Sequence, residues 1–310
     1  YYDTVIISRP HNMELFGGAC RMVSAFLAHT PLIYDAEAVF AAREALRPGR
    51  SKIGALKTKV RRKIAEEIAL ANQAKIVLTV NEIEAGMFRQ AGHSDVRVLG
   101  HNINVAPKAS GFTSRRNLLF VGALDENASP NTDSLVWFVN EVMPKLDRLI
   151  GTDYVLNVVG RNGASKIRAL ADTRVRLLGR IEDISSLYDS SRVFIAPTRF
   201  AGGIPFKIHE AASMGLPVVA TSLLARQLGW TDEIELLTAD RPDGFALACQ
   251  RLYEDPNLWG RLREAALIRV VQDCSPDRFE EIIHGILRDV VRNFPKGRDA
   301  DEIDFYEKTV

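Results

Sequence analysis

The stretch from Val193 to Thr221, VFIAPTRFAGGIPFKIHEAASMGLPVVAT, constrains this chain more than any other. Val193-Phe194-Ile195-Ala196 is a short, wholly apolar run of the kind a parallel sheet buries on both faces, and Val218-Val219-Ala220-Thr221 is a second. Between them lie a glycine pair, Gly202-Gly203, the small-residue helical segment Ala211-Ala212-Ser213-Met214, and the stop Gly215-Leu216-Pro217. A strand, loop, helix and strand in that order form a parallel β-loop-α-β unit, with the loop at the carboxyl end of a strand. Open parallel sheets bind their ligands at such ends.

The chemistry of the loop narrows the ligand. Gly202 and Gly203 let the backbone approach a ligand closely or take positive φ, and the following helix start offers N–H donors and a positive dipole end. Lys207 adds a cation. Glu210, three residues on, shares its helix face, so that a lysine for a diphosphate and a carboxylate for a ribose diol could grip one molecule. The plainer reading is an ordinary loop, a solvated lysine and an ion-paired glutamate. The surrounding β-loop-α-β unit favours the site, and its ligand would be a nucleotide carrying a sugar.

These residues resemble the signature of the group 1 (family 4) glycosyltransferases, nucleotide-sugar-dependent enzymes of the GT-B fold. Pro197, Arg199, Phe200, Gly203, Ile204, Lys207, Glu210, Ala211, Gly215 and Pro217 to Thr221 fall in register with it. Further matches follow the family's order: Phe120-Val121-Gly122, the segment Asn131 to Phe138, Val158-Val159-Gly160, and Leu178 to Asp183 ahead of Tyr188 and Ser191-Arg192. The resemblance covers residues 113–290 well and 1–112 loosely. It implies donor binding by Gly202, Gly203, Ile204, Arg199 and Glu210, and a cleft-facing turn at Gly122. It also implies a nucleotide base held at Gly179, Arg180 and Ile181. Lys207 would neutralise the leaving diphosphate, with no metal or other cofactor. Arg199 could equally pair with an acid elsewhere on the domain, and His209, one residue from Glu210, points about 100° away from it. Many members carry a glutamate near the hexose eight positions before the ribose-binding one; Gly202 stands there instead, which changes how the sugar is held.

The expected architecture is therefore α/β and GT-B-like: two Rossmann-like, doubly wound parallel-sheet domains facing a cleft, the first of them reduced. At 310 residues with 46% apolar content the chain can bury two modest cores. Forty basic against 39 acidic residues supply no field for nucleic acid. Cys20, Cys249 and Cys274 have no metal-ligand spacing, and their odd number suits a reducing, cytoplasmic compartment. No apolar run approaches the roughly 20 residues of a membrane span.

Along the chain, Thr4–Ser8, 31–35, 75–80 and 96–99 read as strands, alternating with helical patterns over 14–28, 37–47, 51–72 and 82–90. This gives an incomplete acceptor-side domain over 1–112, either unusually small or the latter part of a longer, multidomain polypeptide. Turn formers over 103–113 mark a linker. The nucleotide-sugar domain spans 113–292, with strands at 117–122, 153–159, 175–178, 193–196, 217–221 and 235–238, and a polar tail follows over 293–310.

Two first-domain residues join Lys207 as catalytic candidates. His11 follows a strand end, as a proton-handling or sugar-orienting histidine would, or is a loop residue without a role. Asp35, with Glu37 and Arg43 beyond it, resembles the family's Y-D-x-E/H run and could take the acceptor's proton, or it caps a helix. The block from Arg50 to Lys63 carries seven cations and no acid. It is either a solvated helix face or a peripheral contact with anionic lipid or a lipid-diphosphate acceptor at the inner face of a membrane. Three functions compete: a retaining transferase from a nucleoside-diphosphate sugar to a glycan or lipid-linked acceptor, a nucleotide-sugar epimerase, and a non-catalytic binding module of a larger assembly.

Overall fold

The computed structural model describes residues 4–20, 30–47 and 54–293. The second half of the helix expected over 14–28, the cations Arg50 and Lys52, and the tail after 293 lie outside the described residues, as do the side chains of Cys20 and Lys57. By its contacts the chain divides into two units, one of Tyr1–Glu37, Ala65–Leu99 and Glu280–Val310, the other of Ala38–Ile64 and Gly100–Phe279. Each unit is drawn from more than one stretch of the sequence.

The first unit holds a four-stranded parallel sheet in the order β1-β2-β3-β4, from β1 (Val5–Ser8), β2 (Leu32–Asp35), β3 (Ile76–Thr79) and β4 (Val96–Val98). Ile33, Ile76 and Leu78 form its buried cluster with Ile286 and Val290 of the helix Pro276–Asn293. That helix carries apolar residues on one stripe, and burying the stripe here is what groups residues beyond 280 with the start of the chain.

The second unit is built on a six-stranded parallel sheet in the order β10-β9-β8-β5-β6-β7. Its strands are β5 (Asn117–Val121), β6 (Leu156–Val159), β7 (Val175–Gly179), β8 (Ser191–Ala196), β9 (Val218–Ala220) and β10 (Leu237–Thr238). Counted from β5, this is the 3-2-1-4-5-6 order of a doubly wound nucleotide-binding fold. Strand alternation sorts the core into two faces. Leu118, Phe120, Val158, Val193 and Ile195 enter one cluster, and Leu119, Val159, Phe194, Ala196 and Val218 enter the other. The chain runs outward from β5 through β6 to β7, then returns to lay β8 on the other side of β5. The reversal opens a crevice at the carboxyl ends of β5 and β8, and the Gly202-Gly203 loop leaves β8 at that point.

Candidate functional site

The loop after β8 is tied down before it reaches the helix Phe206–Ser213. Thr221 donates from Oγ1 to the Thr198 carbonyl at 2.6 Å, and Gln227 donates from Nε2 to the Ala201 carbonyl at 3.0 Å. Phe200 is fully buried and anchors the middle. Gly203 takes φ +74°, a conformation that L side chains rarely adopt. On the facing side, the turn after β5 is fixed by Gly160, at φ +134°, where a Cβ would stand 2.0 Å from the Gly122 carbonyl oxygen. Only glycine lets these two backbones meet so closely.

Between the two turns opens a pocket of about 450 Å³ whose lining includes Gly122, Asn131, Gly202, Ile204, Lys207 and Glu210. Arg43, Thr198, Phe206 and Gln227 also border it. Lys207 is its electrostatic centre. Its ammonium donates to Asn131 Oδ1 at 2.6 Å and sits 4.9 Å from the centre of the Phe120 ring. Burial among these groups pushes its pKa down to about 8. The lysine stays charged at neutral pH but is poorly solvated, which makes it a strong partner for an anion. Asn131 is itself held, donating from Nδ2 to the Ala123 carbonyl at 3.2 Å.

Glu210 lies on the same helix face as Lys207 and lines the same pocket. Burial raises its pKa. A lysine and a carboxylate lining one small pocket suit a ligand with an anionic and a hydroxylic part. His209, between them in sequence, turns into the core: 2% exposed, its Nδ1 lies 3.4 Å from His101 Nδ1 and 3.3 Å from Cys274 Sγ. Burial lowers its pKa to about 4, so the ring is neutral at pH 7.

Other predicted residues stand elsewhere. Arg199 is paired with Asp133, Nε to Oδ2 at 2.9 Å and Nη2 to Oδ1 at 2.6 Å, and does not line the pocket. Gly179 ends β7 and Arg180 and Ile181 follow it, all outside that lining. Gly179 takes φ +71° and its carbonyl accepts from the Gly160 amide at 2.8 Å; Arg180 is exposed, and Ile181 packs on the second core cluster.

In the first unit, His11 lies exposed in the opening turn of the helix Pro10–Cys20, not in a loop. Asp35 ends β2 and holds the turn beyond it: Oδ2 accepts from Ser8 Oγ at 2.9 Å and Oδ1 from the Glu37 amide at 3.3 Å. Helix capping by Asp35 does not occur, because the next helix starts at Phe40. Arg9 and Glu37 both take positive φ, at +76° and +50°, and Arg9 Nε donates to both Glu37 oxygens at 2.9 and 2.8 Å.

Arg43 and Gln227 are the lining residues whose side chains the sequence least announced. Arg43 was visible only as the end of the run from Tyr34, and nothing in the local pattern marks Gln227 within the helix Ser222–Leu228.

Residues 115–255 match the family model described as "Glycosyl transferases group 1". They are a group 1 glycosyl transferase domain. No curated protein matches the chain. Among solved structures, Anabaena HepE in complex with UDP and glucose superposes with a TM-score of 0.69 at 17% identity, over 93% of this chain and 78% of that one. Sucrose-phosphate synthase from Thermosynechococcus elongatus gives 0.71 at 14% identity, over 93% and 74%. A glycosyltransferase from Rickettsia africae gives 0.56 at 14% identity, over 94% and 100%. These likenesses place the fold in the GT-B class. Within the glycosyltransferase domain, the pocket lies at the strand-order reversal of the sheet, bounded by its two glycine turns. Among the described residues no helix is long and apolar enough to cross a membrane.

Proposed function

We propose that the protein is a retaining glycosyltransferase, moving a sugar from a nucleoside-diphosphate donor to a hydroxyl of a glycan or lipid-linked acceptor in cell-surface polysaccharide or glycoconjugate synthesis. The observation that supports this best is the half-buried Lys207 ammonium, fixed by Asn131 and sharing its pocket with Glu210. UDP is the first donor base to try, since HepE was solved with UDP and glucose.

In the reaction so read, the bond between the anomeric carbon and the phosphate oxygen breaks and its electron pair leaves with the diphosphate. The acceptor oxygen bonds to the anomeric carbon on the same face, and its proton passes to the departing phosphate oxygen. Positive charge grows on the sugar and negative charge on the leaving group, so a fixed cation at the latter stabilises the transition state more than the ground state. Lys207 is that cation. It supplies the counter-charge without a resident metal, and Glu210 holds the ribose. Asp35 and His11 remain candidates for handling the acceptor. The exposed Lys59, Arg61, Arg62 and Lys63 would meet an anionic surface at the cytoplasmic face of a membrane.

Release of UDP from UDP-sugars, with and without glycan and lipid-linked acceptors, tests this reading. We expect slow release that accelerates with acceptor, persists in chelator, and falls about a hundred- to a thousandfold in Lys207→Ala. Sugar interconversion without release would instead indicate an epimerase, and binding without turnover a non-catalytic module.

A further inference from the structure

Two side chains bordering the pocket carry buried polar atoms without a hydrogen-bond partner. They are Arg43, through Nε, and Gln227, through Oε1. Both flank the same short piece of loop. Gln227 is bonded to the Ala201 carbonyl at 3.0 Å, and a Cβ at Gly202 would stand 3.3 Å from Arg43 Cβ. An unsatisfied donor and an unsatisfied acceptor are therefore carried by two residues that line the pocket beside Ala201-Gly202.

The charge at this end is specific. Arg43 Cζ lies 4.7 Å from the centre of the Phe40 ring, and its Nη2 makes a loose ion pair with Glu44 at 3.6 Å that leaves Nε without a hydrogen-bond partner. Arg199, by contrast, closes a bidentate pair with Asp133. With Lys207 assigned to the diphosphate and Glu210 to the ribose, the cation of Arg43 is left facing the remaining part of the donor. Gly202 brings no side chain between Arg43 and the pocket, and Glu44 approaches only Nη2.

We propose that Arg43 and Gln227 form a subsite for a sugar carboxylate, so that the donor is a nucleoside-diphosphate hexuronate. The carboxylate would accept from the planar guanidinium, the geometry in which arginine binds carboxylates best, and a ring hydroxyl would donate to Gln227 Oε1. A neutral hexose offers Arg43 only hydroxyl oxygens. Charge-assisted bonds are about twice as strong as neutral ones, so the two sugars should separate clearly.

This inference rests on the donor-site reading above, and the experiment separates the two. Calorimetric titration with UDP and with GDP first fixes the base. The hexuronate and neutral hexose of that base, UDP-glucuronate against UDP-glucose or GDP-mannuronate against GDP-mannose, are then compared on the wild-type protein, Arg43→Gln and Lys207→Ala. The expected result is binding of the hexuronate at least tenfold tighter than the hexose in the wild type. That ratio should fall to within threefold in Arg43→Gln, while the free diphosphate binds the variant as it binds the wild type, which also certifies its fold. Equal affinity for the two sugars, or a ratio that survives in Arg43→Gln, overturns the inference and leaves the donor site standing. If neither diphosphate binds, or Lys207→Ala binds as well as wild type, the donor-site reading fails, and the sugar subsite with it.

Discussion

Replacing Lys207 by methionine should make the empty protein more stable and unable to bind its donor. The free lysine ionises near pH 10.5, and burial brings it to about 8 in the fold, a difference of about 2.5 units. At 1.36 kcal/mol per unit, holding the charge in the folded state costs about 3 kcal/mol. The sign follows from proton binding. Below pH 8 both folded and unfolded chains are protonated and the whole penalty is present; between 8 and 10.5 the unfolded chain holds more protons, so stability rises with pH; above 10.5 the penalty has vanished. Methionine keeps the stem's packing and removes the charge, at the loss of the Asn131 hydrogen bond, itself about 1 kcal/mol. The net gain at pH 7 is about 2 kcal/mol, a rise of about 4–8 °C in melting temperature for a domain of this size. Calorimetric melting of wild type and variant from pH 6 to 10 is the assay. The gap should narrow above pH 8, and UDP should raise the melting point of the wild type alone. A variant that melts at or below wild type at pH 7, with a gap independent of pH, would refute the claim that this lysine is desolvated by its pocket.

The same lysine predicts that donor affinity falls about tenfold per unit as pH rises above 8 and that binding there takes up protons. Titrations in buffers of different ionisation heat read both; pH-independent affinity up to pH 9.5 would contradict it. Glu210→Gln should weaken donor binding about ten- to a hundredfold, the worth of a charged hydrogen bond to the ribose, with the melting temperature nearly unchanged. Gly160→Ala should destabilise by about 3 kcal/mol, because its Cβ meets backbone 2.0 Å away. Gly122→Ala meets only the Asn131 side chain at 2.9 Å, so it should keep the fold and lose donor affinity as Asn131 swings off Lys207. Arg199→Ala should lower the melting temperature by a few degrees and leave the UDP dissociation constant within twofold, since its partner is Asp133.

How legible each part was depends on the range of the interaction that places it. The inner strands of both sheets could be read because buried parallel strands are short apolar runs ended by glycine or a turn, a local signal. The lysine and glutamate of the pocket could be read for the same reason: they sit three residues apart on one helix, behind a loop whose glycine at 203 needs positive φ. What sequence reading left open or did not reach depends on distant partners. Arg199 has the signature position of a ligand residue, but its acid stands 66 residues earlier, and no local pattern distinguishes a guanidinium closed on Asp133 from one facing a ligand. Grouping of 38–64 with the second unit is invisible for the same reason, and with it the contact of Arg43 on Gly202. That contact bears on function. A glycine at 202, read alone, is only a missing acid, whereas in the fold it packs against Arg43, which borders the same pocket. The chemistry of the sugar end therefore comes from a residue about 160 positions away, and no reading of the loop by itself could have supplied its sign.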